Sequence, residues 1–268
     1  MSELTRIAHT AAAAARSAGA VLQSYRGRFE VEEKGPQDLV TDADLAAQDA
    51  VVRAITAAFP SHDLFGEEGL REERGGAYRW TVDPLDGTGN YVHGFPFYAV
   101  SIGVEKLTDD GPIPAVGAIF DPSRDELFLA IVEPDGGPRL ATLNDRPIKT
   151  SLCSELPRAF LMSSIPRDSP ADAPAVRRFT YMLNRSETVQ RSGSAALNLA
   201  YVACGRLDGY WSTSLKPWDQ AAGAVLVEAA GGVMKSTDGG SFRIAEPDLL
   251  ACSTEALAEE LRAALAEA

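Results

Sequence analysis

Three apolar segments that follow one another closely constrain the fold of this chain most. They span 99–107, 113–121 and 126–131, and Gly, Pro and Asp residues occupy the short connections between them. Apolar segments of this length, bounded by turn residues, are typical of consecutive β-strands. The sequence therefore predicts a sheet in the first half of the chain.

Helical patterns surround these strands. Expected helices span 3–25, 42–59, 173–183, 193–203, 218–230 and 254–266. Further strand candidates lie at 29–33, 79–82, 159–163, 209–212 and 232–235, and Asp83–Pro84 is expected to break the strand at 79–82. Runs of helices that alternate with runs of strands predict a layered α/β or α+β fold. We expect one domain over 1–268, with sub-domains at about 1–150 and 151–268.

The charge balance excludes some classes of partner. The chain has 25 Lys and Arg against 38 Asp and Glu, a net charge of −13. Proteins held to nucleic acid by neutralised phosphates normally present a basic face, and anionic membrane surfaces attract basic segments. We therefore expect no nucleic acid and no membrane among the partners.

Cysteine usage and the first helix bear on the compartment. The three cysteines form no CxxC motif, and their odd number argues against a disulfide framework. The Ala-rich segment 7–22 is interrupted by polar residues, and Glu3 lies where a signal peptide carries positive charge. We expect an opening amphipathic helix and a reducing, cytoplasmic location.

Acidic residues lie at the end of the strand candidate 79–82. Asp83 ends the strand and Asp86 follows three residues later, so one turn can direct both carboxylates and the Leu85 carbonyl to one point. A set of oxygen ligands suits a hard cation such as Mg²⁺. Gly87 lets the backbone approach a ligand closely, and Thr88 would begin a short helix whose free N–H groups attract an anion.

Two other acidic residues also lie at an expected turn or at the start of an expected helix. Glu67 lies in a Gly-Glu-Glu-Gly turn after an apolar run, and Asp219 opens the helix expected at 218–230. Each taken alone is explained by a solvated turn or a helix cap. Together with Asp83 and Asp86 they point to a two-cation site for phosphoryl transfer, although the residues alone leave turns and caps as an open alternative.

Several separated blocks resemble the inositol monophosphatase family of Mg²⁺-dependent, Li⁺-sensitive phosphatases. The blocks are Asp38–Asp44, Gly66–Glu68, Asp83–Pro96, Gly193–Ala196 and Trp218–Gly223. The resemblance implies a layered αβαβα sandwich, a homodimer and a small phosphomonoester as substrate. It also implies hydrolysis by direct attack of a metal-activated water.

The resemblance further implies the metal ligands. Glu67, Asp83 and the Leu85 carbonyl match the ligands of a first Mg²⁺, and Asp83, Asp86 and Asp219 match those of a second. Glu67 also matches a ligand of a weaker third ion, which gives two to three ions in all. Mn²⁺ is a possible substitute because it accepts the same oxygen ligands.

The same comparison implies the catalytic and substrate-binding residues. Glu67, Thr88 and Asp44 match catalytic positions, and the last two match the pair that orients and deprotonates the attacking water. The backbone N–H groups of Gly87 and Thr88 match the phosphate-binding groups. The residues that match the loop at the alcohol portion of the substrate are Gly193, Ser194 and Ala195.

One position departs from the family pattern. Inositol-cleaving members usually carry a Glu seven residues before the Trp-Asp aspartate, where this chain has Ser212. Inositol monophosphate or a similar small polyol phosphate is the first expectation for the substrate. Histidinol phosphate and fructose 1,6-bisphosphate are alternatives, and a non-catalytic binding or regulatory relative is the alternative from another class.

Overall fold

The computed structural model of the chain describes residues 2–35, 38–133, 137, 139–166 and 168–268. The helices are α1 (Glu3–Tyr25), α2 (Asp42–Ala58), α3 (Thr88–Val92), α4 (Pro174–Met182), α5 (Ala195–Ala203), α6 (Pro217–Ala229) and α7 (Glu255–Glu267). Among these described helices, none combines the length and the apolar character that crossing a membrane requires.

The strands form two sheets and a hairpin. In chain order they are β1 (Val31–Gly35), β2 (Asp38–Thr41), β3 (Asp63–Gly66), β4 (Arg71–Glu72), β5 (Tyr78–Asp86), β6 (Ala99–Lys106), β7 (Ile113–Asp121), β8 (Glu126–Val132), β9 (Arg139–Leu143), β10 (Arg146–Pro147), β11 (Phe160–Ser163), β12 (Thr188–Gln190), β13 (Gly209–Ser212), β14 (Val233–Lys235) and β15 (Leu249–Cys252). The central sheet has the order β10-β9-β8-β7-β6-β5-β3-β4, the second sheet has the order β12-β11-β13-β15-β14, and β1 pairs with β2.

The helices and sheets stack in alternating layers. The first core joins α1 and α2 to the central sheet through residues such as Ile7 and Trp80. The second core contains α5 and α6 between the two sheets, and the third lies between the second sheet and α7, around Trp211 and Leu261. This is the αβαβα sandwich that the resemblance implied. Apolar burial of this kind is the main stabilising contribution to such a fold.

Two glycines bring α6 unusually close to the central sheet. A Cβ atom added at Gly103 would lie 2.6 Å from the Cβ of Ala221, and one added at Gly117 would lie 2.2 Å from the carbonyl oxygen of Ala222. A side chain at either of these two glycine positions would therefore push the helix outward. The two glycines thus let the second turn of α6, directly after Asp219 and Gln220, lie close against the sheet.

The expected break of the strand at Asp83–Pro84 is wrong. β5 continues to Asp86, with Asp83 opposite Ser101 and Asp86 opposite Ala99 of β6. The register shifts between these two pairs, and Pro84 falls within the shift. Proline lacks an N–H group, but at an irregularity of this kind the ladder does not require that donor.

Other differences concern strands and helix ends. The helix expected from residue 193 begins at Ala195, because Ser194 is its N-cap and accepts a hydrogen bond from the Leu197 N–H. The strands that were not predicted include β2, β9, β12 and β15. β15 is buried throughout and pairs antiparallel with both β13 and β14, so its short apolar sequence shows no alternation.

Candidate active site

Three aspartates meet where β5 ends and α6 begins. Asp83, Asp86 and Asp219 each offer one carboxylate oxygen, and these oxygens all lie within 4.8 Å of one another. Asp83 and Asp86 are buried, and Asp219 is partly exposed at the start of its helix. Two acids of one turn and a third that lies more than 130 residues later therefore form one cluster.

The register of the central sheet explains why Asp83 and Asp219 meet. Asp83 lies opposite Ser101 on β6, and the Ser101 hydroxyl donates to the Trp218 carbonyl over 3.4 Å. Asp219 follows at once in the first turn of α6. Its Oδ2 accepts a hydrogen bond of 2.7 Å from the Lys216 N–H, which is the helix-capping contact expected of an acid at this position.

Asp86 lies at the amino end of α5, the helix that begins more than one hundred residues later. Its carboxylate accepts hydrogen bonds from the Ser194 hydroxyl, from the Ala196 N–H at 2.7 Å and from the Ala195 N–H at 3.3 Å. The partial positive charge of a helix N-terminus favours an anion there. The Ser194 side chain is buried and its hydroxyl donates to Asp86, so it helps to hold the Asp86 carboxylate in place.

The pKa values show that the acidic cluster is unfavourable without a counter-charge. Burial raises the pKa of Asp83 well above its usual range, and the carboxylates of Glu67 and Asp86 raise it further. Burial and the Asp86 carboxylate raise the pKa of Asp219 to about 8. Burial raises the pKa of Asp86 to about 6 against the opposing effect of the bonds from α5. The all-oxygen donor set fits a hard divalent cation, which would remove this repulsion.

Glu67 follows the end of β3 and lies close to this cluster. Its backbone N–H donates to the Val82 carbonyl over 3.2 Å, which fixes the turn after β3 against β5. A Cβ atom at Gly66 would lie 2.7 Å from the same carbonyl, so the preceding position has no room for a side chain. The effect of the Glu67 carboxylate on the pKa of Asp83 is consistent with its predicted place among the metal ligands.

Asp44 and Thr88 come together beside the cluster. Asp44 is fully buried at the start of α2, where its Oδ2 accepts hydrogen bonds from the N–H and the hydroxyl of Thr41 at 2.8 and 2.5 Å. The Thr88 hydroxyl lies 3.3 Å from Asp44 Oδ1 and 3.1 Å from the Leu85 carbonyl oxygen. The two residues predicted as a pair from separate motifs are thus in contact.

Sequence reasoning gave no role to Asn90, which connects two loops of the site. Its amide Nδ2 donates to the Phe97 carbonyl at 2.6 Å and to the Ser192 carbonyl at 2.9 Å. Gly87 begins this loop in a left-handed conformation with φ of 95°, and a Cβ there would lie 3.1 Å from the Phe97 carbonyl oxygen. The motif contains Asn90, but only the structure reveals its partners.

Ser212, where the family pattern has a Glu, lies inside the second sheet. The residue is fully buried in β13, and its hydroxyl accepts a hydrogen bond of 3.4 Å from the Ser214 N–H. Gly193, which was predicted to face the alcohol portion of the substrate, is exposed with φ of 88°. At the departure from the family pattern the chain therefore has a short, buried side chain whose hydroxyl contacts the residues that follow β13.

Comparison with known proteins agrees with this geometry. The sequence profile of the inositol monophosphatase family matches residues 2–268. This chain belongs to the inositol monophosphatase family. It is accordingly a phosphatase, a phosphoric monoester hydrolase, and the cluster of three aspartates agrees with that activity.

Relatives within the inositol monophosphatase family carry more than one name. An inositol-1-monophosphatase of Synechocystis sp. is 38% identical over 269 residues, covering 99% of this chain and 90% of that protein. The Nus factor SuhB of Xylella fastidiosa is 41% identical over 225 residues, covering 82% and 78%. The solved inositol monophosphatase of Anabaena (Nostoc) sp. is 38% identical, with a TM-score of 0.85 over 99% of this chain and 97% of that one.

Proposed function

We propose that this protein is a Mg²⁺-dependent phosphomonoesterase that hydrolyses inositol monophosphate or a similar small polyol phosphate. The observation that carries the proposal is the cluster of Asp83, Asp86 and Asp219, whose oxygens lie within 4.8 Å of one another. Acids this close and this buried repel one another, and such groups are otherwise rarely retained in a core. Their arrangement is that of a binding site for cations.

The proposed ligands divide into two overlapping sets. Asp83, Asp86 and Asp219 would hold one Mg²⁺, and Glu67, Asp83 and the Leu85 carbonyl would hold another. Glu67 would also reach a weaker third ion, and Mn²⁺ would accept the same oxygens. When bound, the ions would supply a water of lowered pKa and stabilise the charge that develops on the leaving oxygen.

The protein's own residues would orient the attacking water and receive its proton. The contact of 3.3 Å between the Thr88 hydroxyl and Asp44 supports this assignment. Asp44 is fixed by two hydrogen bonds from Thr41, so it can accept through its other oxygen without moving. Glu67 completes the proposed catalytic set.

The phosphate would bind at the loop that follows β5. The N–H groups of Gly87 and Thr88 lie at the start of α3, where amides have no acceptor in the preceding turn. Gly193, Ser194 and Ala195 would border the alcohol portion of the substrate, since they lie beside Asp86. The Asn90 amide links the two loops and would keep the two parts of the site in register.

More than one alcohol fits the proposed chemistry. The family pattern has a Glu where this chain has Ser212, a short side chain whose hydroxyl accepts from the Ser214 N–H. Histidinol phosphate and fructose 1,6-bisphosphate fit the same chemistry. The likeness to a protein named as a Nus factor also gives a reason to test a binding or regulatory role, although the acids of the cluster favour catalysis.

A panel of substrates tests the proposal. Purified protein with excess Mg²⁺ is expected to release phosphate from inositol 1-phosphate or from at least one of histidinol phosphate, fructose 1,6-bisphosphate and a nucleotide 3′-phosphate. Chelation should stop the reaction, and added Mg²⁺ should restore it. Absence of phosphate release from every ester in the presence of Mg²⁺ would reject the enzymatic role.

We propose three further properties that the resemblance to the inositol monophosphatase family implied. We expect Li⁺ to inhibit, the protein to form a homodimer, and its location to be cytoplasmic. A Li⁺ titration of the phosphatase reaction tests the first property and light scattering tests the second. Labelling of the thiols of Cys153 and Cys204, both partly exposed, in intact cells and in lysates tests whether they stay reduced.

A further inference from the structure

Gln220 is a buried polar residue of α6, a helix whose other buried residues are all small or apolar. It follows Asp219 directly and is fully buried. Its Nε2 donates to the Ile244 carbonyl at 2.8 Å and to the Glu246 carbonyl at 2.6 Å. One amide thus ties the first turn of α6 to the loop that precedes β15.

The same two segments are joined a second time on the other side of Asp219. The Leu215 N–H donates to the Pro247 carbonyl over 3.1 Å. Three hydrogen bonds therefore connect residues 215–220 to residues 244–247. Asp219 lies in the sequence between Leu215 and Gln220, the two residues that make these bonds. Because the Gln220 amide donates to two carbonyls, its removal would take away both bonds, of which the bond to Ile244 is buried and the bond to Glu246 is partly buried.

A pocket separates part of the loop from the central sheet. A cavity of about 970 Å³ has Phe242 to Ala245 on one wall and Phe65 and Thr81 on the sheet side. The side of the loop that faces β3 and β5 therefore has space in which to shift. The three hydrogen bonds to residues 215–220 connect the loop directly to the start of α6.

The chemistry of Gln220 favours a positional role over a purely stabilising one. Its Oε1 is buried and has no hydrogen-bond partner among the residues that the structure describes. Burial of an unpaired amide oxygen costs free energy, so an apolar side chain would pack α6 at lower cost. The two bonds made by Nε2 are what an apolar residue could not supply.

We infer that Gln220 is a positioning residue for the proposed metal site. Its amide holds the first turn of α6, and with it the Asp219 carboxylate, at the separation from Asp83 and Asp86 that a shared cation requires. The inference rests on the proposed function, because it takes Asp219 as a metal ligand. It adds a residue that contacts neither the cation nor the substrate.

Replacing Gln220 by methionine tests the inference, since Q220M keeps the chain length and removes both hydrogen bonds. Calorimetric titration with Mg²⁺ alone is expected to show affinity about tenfold weaker than in the wild type, which is typical when support behind a ligand is removed. At saturating Mg²⁺ the KM for a hydrolysed ester should stay within about twofold of the wild type, because the phosphate loop is untouched.

Gln23 provides a matched control. Its Nε2 donates to the Pro122 carbonyl at 2.7 Å and to the Tyr98 hydroxyl at 3.3 Å, and α1 lies on the opposite face of the central sheet from α6. Q23M should lower the Tm to a similar extent and leave Mg²⁺ affinity unchanged. Equal weakening of Mg²⁺ binding in Q23M and Q220M would show a general loss of stability and overturn the inference.

The variant D219N separates failure of this inference from failure of the proposed function. Wild-type Mg²⁺ affinity in D219N would remove Asp219 from the site, and the inference with it. Weak binding in D219N together with wild-type affinity in Q220M would overturn the inference alone. If Q220M does not fold, Q220N, whose shorter amide cannot span both carbonyls, is measured in the same way with the same expected loss.

Discussion

The rings of Phe65 and Trp218 are in contact, with their centroids 5.4 Å apart and their planes tilted by 54°. Phe65 lies two residues before Glu67 at the end of β3, and Trp218 lies one residue before Asp219 at the start of α6. The contact therefore joins the two elements that carry the first and the last acid of the candidate site.

Replacing Phe65 by leucine should loosen that connection. F65L keeps an apolar side chain but removes the ring pair, so we expect the free energy of unfolding to fall by about 1 kcal/mol. Mg²⁺ affinity should fall several-fold because Glu67 and Asp219 lose their shared support. Urea unfolding and Mg²⁺ titration measure the two effects. F59L, which removes a ring contact with Trp80 on the other face of the sheet, should change stability only.

Replacing Asp83 by asparagine should separate catalysis from folding. Asp83 takes part in both proposed cation sites, so D83N should lose turnover by at least about a thousandfold. Because burial and the neighbouring carboxylates raise the pKa of Asp83, the neutral amide should leave the metal-free protein at least as stable near pH 8. Circular dichroism and phosphate release check both points. Near wild-type turnover would contradict the assignment of Asp83 as a bridging ligand.

The stability of the metal-free protein should fall as the pH rises. The pKa values of Asp86 and Asp219 are raised to about 6 and about 8, from an ordinary value of 3.8. Folding thus favours their protonated forms, and this contribution is complete below about pH 4 and is lost as the pH rises through 6 and 8. Since Mg²⁺ competes with these protons, the increase in Tm that it produces should grow from about pH 5.5 to about pH 8.

Thermal unfolding in chelator and in excess Mg²⁺ across that pH range measures the effect. D83N serves as the control, because it lacks one member of the cluster and should show a smaller response to Mg²⁺. A Mg²⁺-dependent increase in Tm that does not change with pH would contradict the coupling between proton loss and cation binding.

His62 should make the protein less stable in acid. Its Nδ1 accepts a hydrogen bond of 3.0 Å from the Trp80 indole N–H, and burial lowers its pKa from the ordinary value of 6.5, against the opposing effect of Glu3 and Asp63. Folding thus favours neutral His62. Its contribution is present above pH 6.5 and is lost as the pH falls through the lowered pKa.

The variant H62Q isolates this contribution, because glutamine can accept from the indole but does not titrate. Between about pH 7 and about pH 5 the urea midpoint of the wild type should fall more than that of H62Q. An equal fall in both proteins would assign the acid sensitivity to other groups. Phosphatase activity near pH 7 should be similar in the wild type and H62Q. His62 packs against Trp80, on the face of the central sheet that is covered by α1 and α2 and not by α6.

Local patterns predicted the helices and the long strands well. α1, α2, α6 and α7 were expected within two residues of their ends, because their apolar spacing and caps lie within the helix itself. β15 was missed because both of its faces are buried, and a short apolar run then has no period that separates strand from helix. The expected strand break failed because the partner strand β6 accommodates Pro84 in an irregular pair.

The candidate site shows a similar limit. Motifs predicted that Asp83, Asp86 and Asp219 belong together, and the structure brings them together. The supporting contacts were not predictable, because they depend on which elements become neighbours. Asp86 accepts from the first N–H groups of α5, a helix distant in the sequence, and Gln220 reaches a loop more than twenty residues later. Only the tertiary arrangement determines such partners.

The contact between Asp86 and Ser194 also has a consequence for the order of folding. These residues are separated by 108 positions and belong to different layers of the sandwich. Closing so large a loop is slow, so contacts of this kind form after local helices and hairpins. The cluster of acids would then be completed at a late step of folding. Acquisition of Mg²⁺ binding during refolding would therefore report the arrival of the native chain topology, and not the earlier formation of secondary structure.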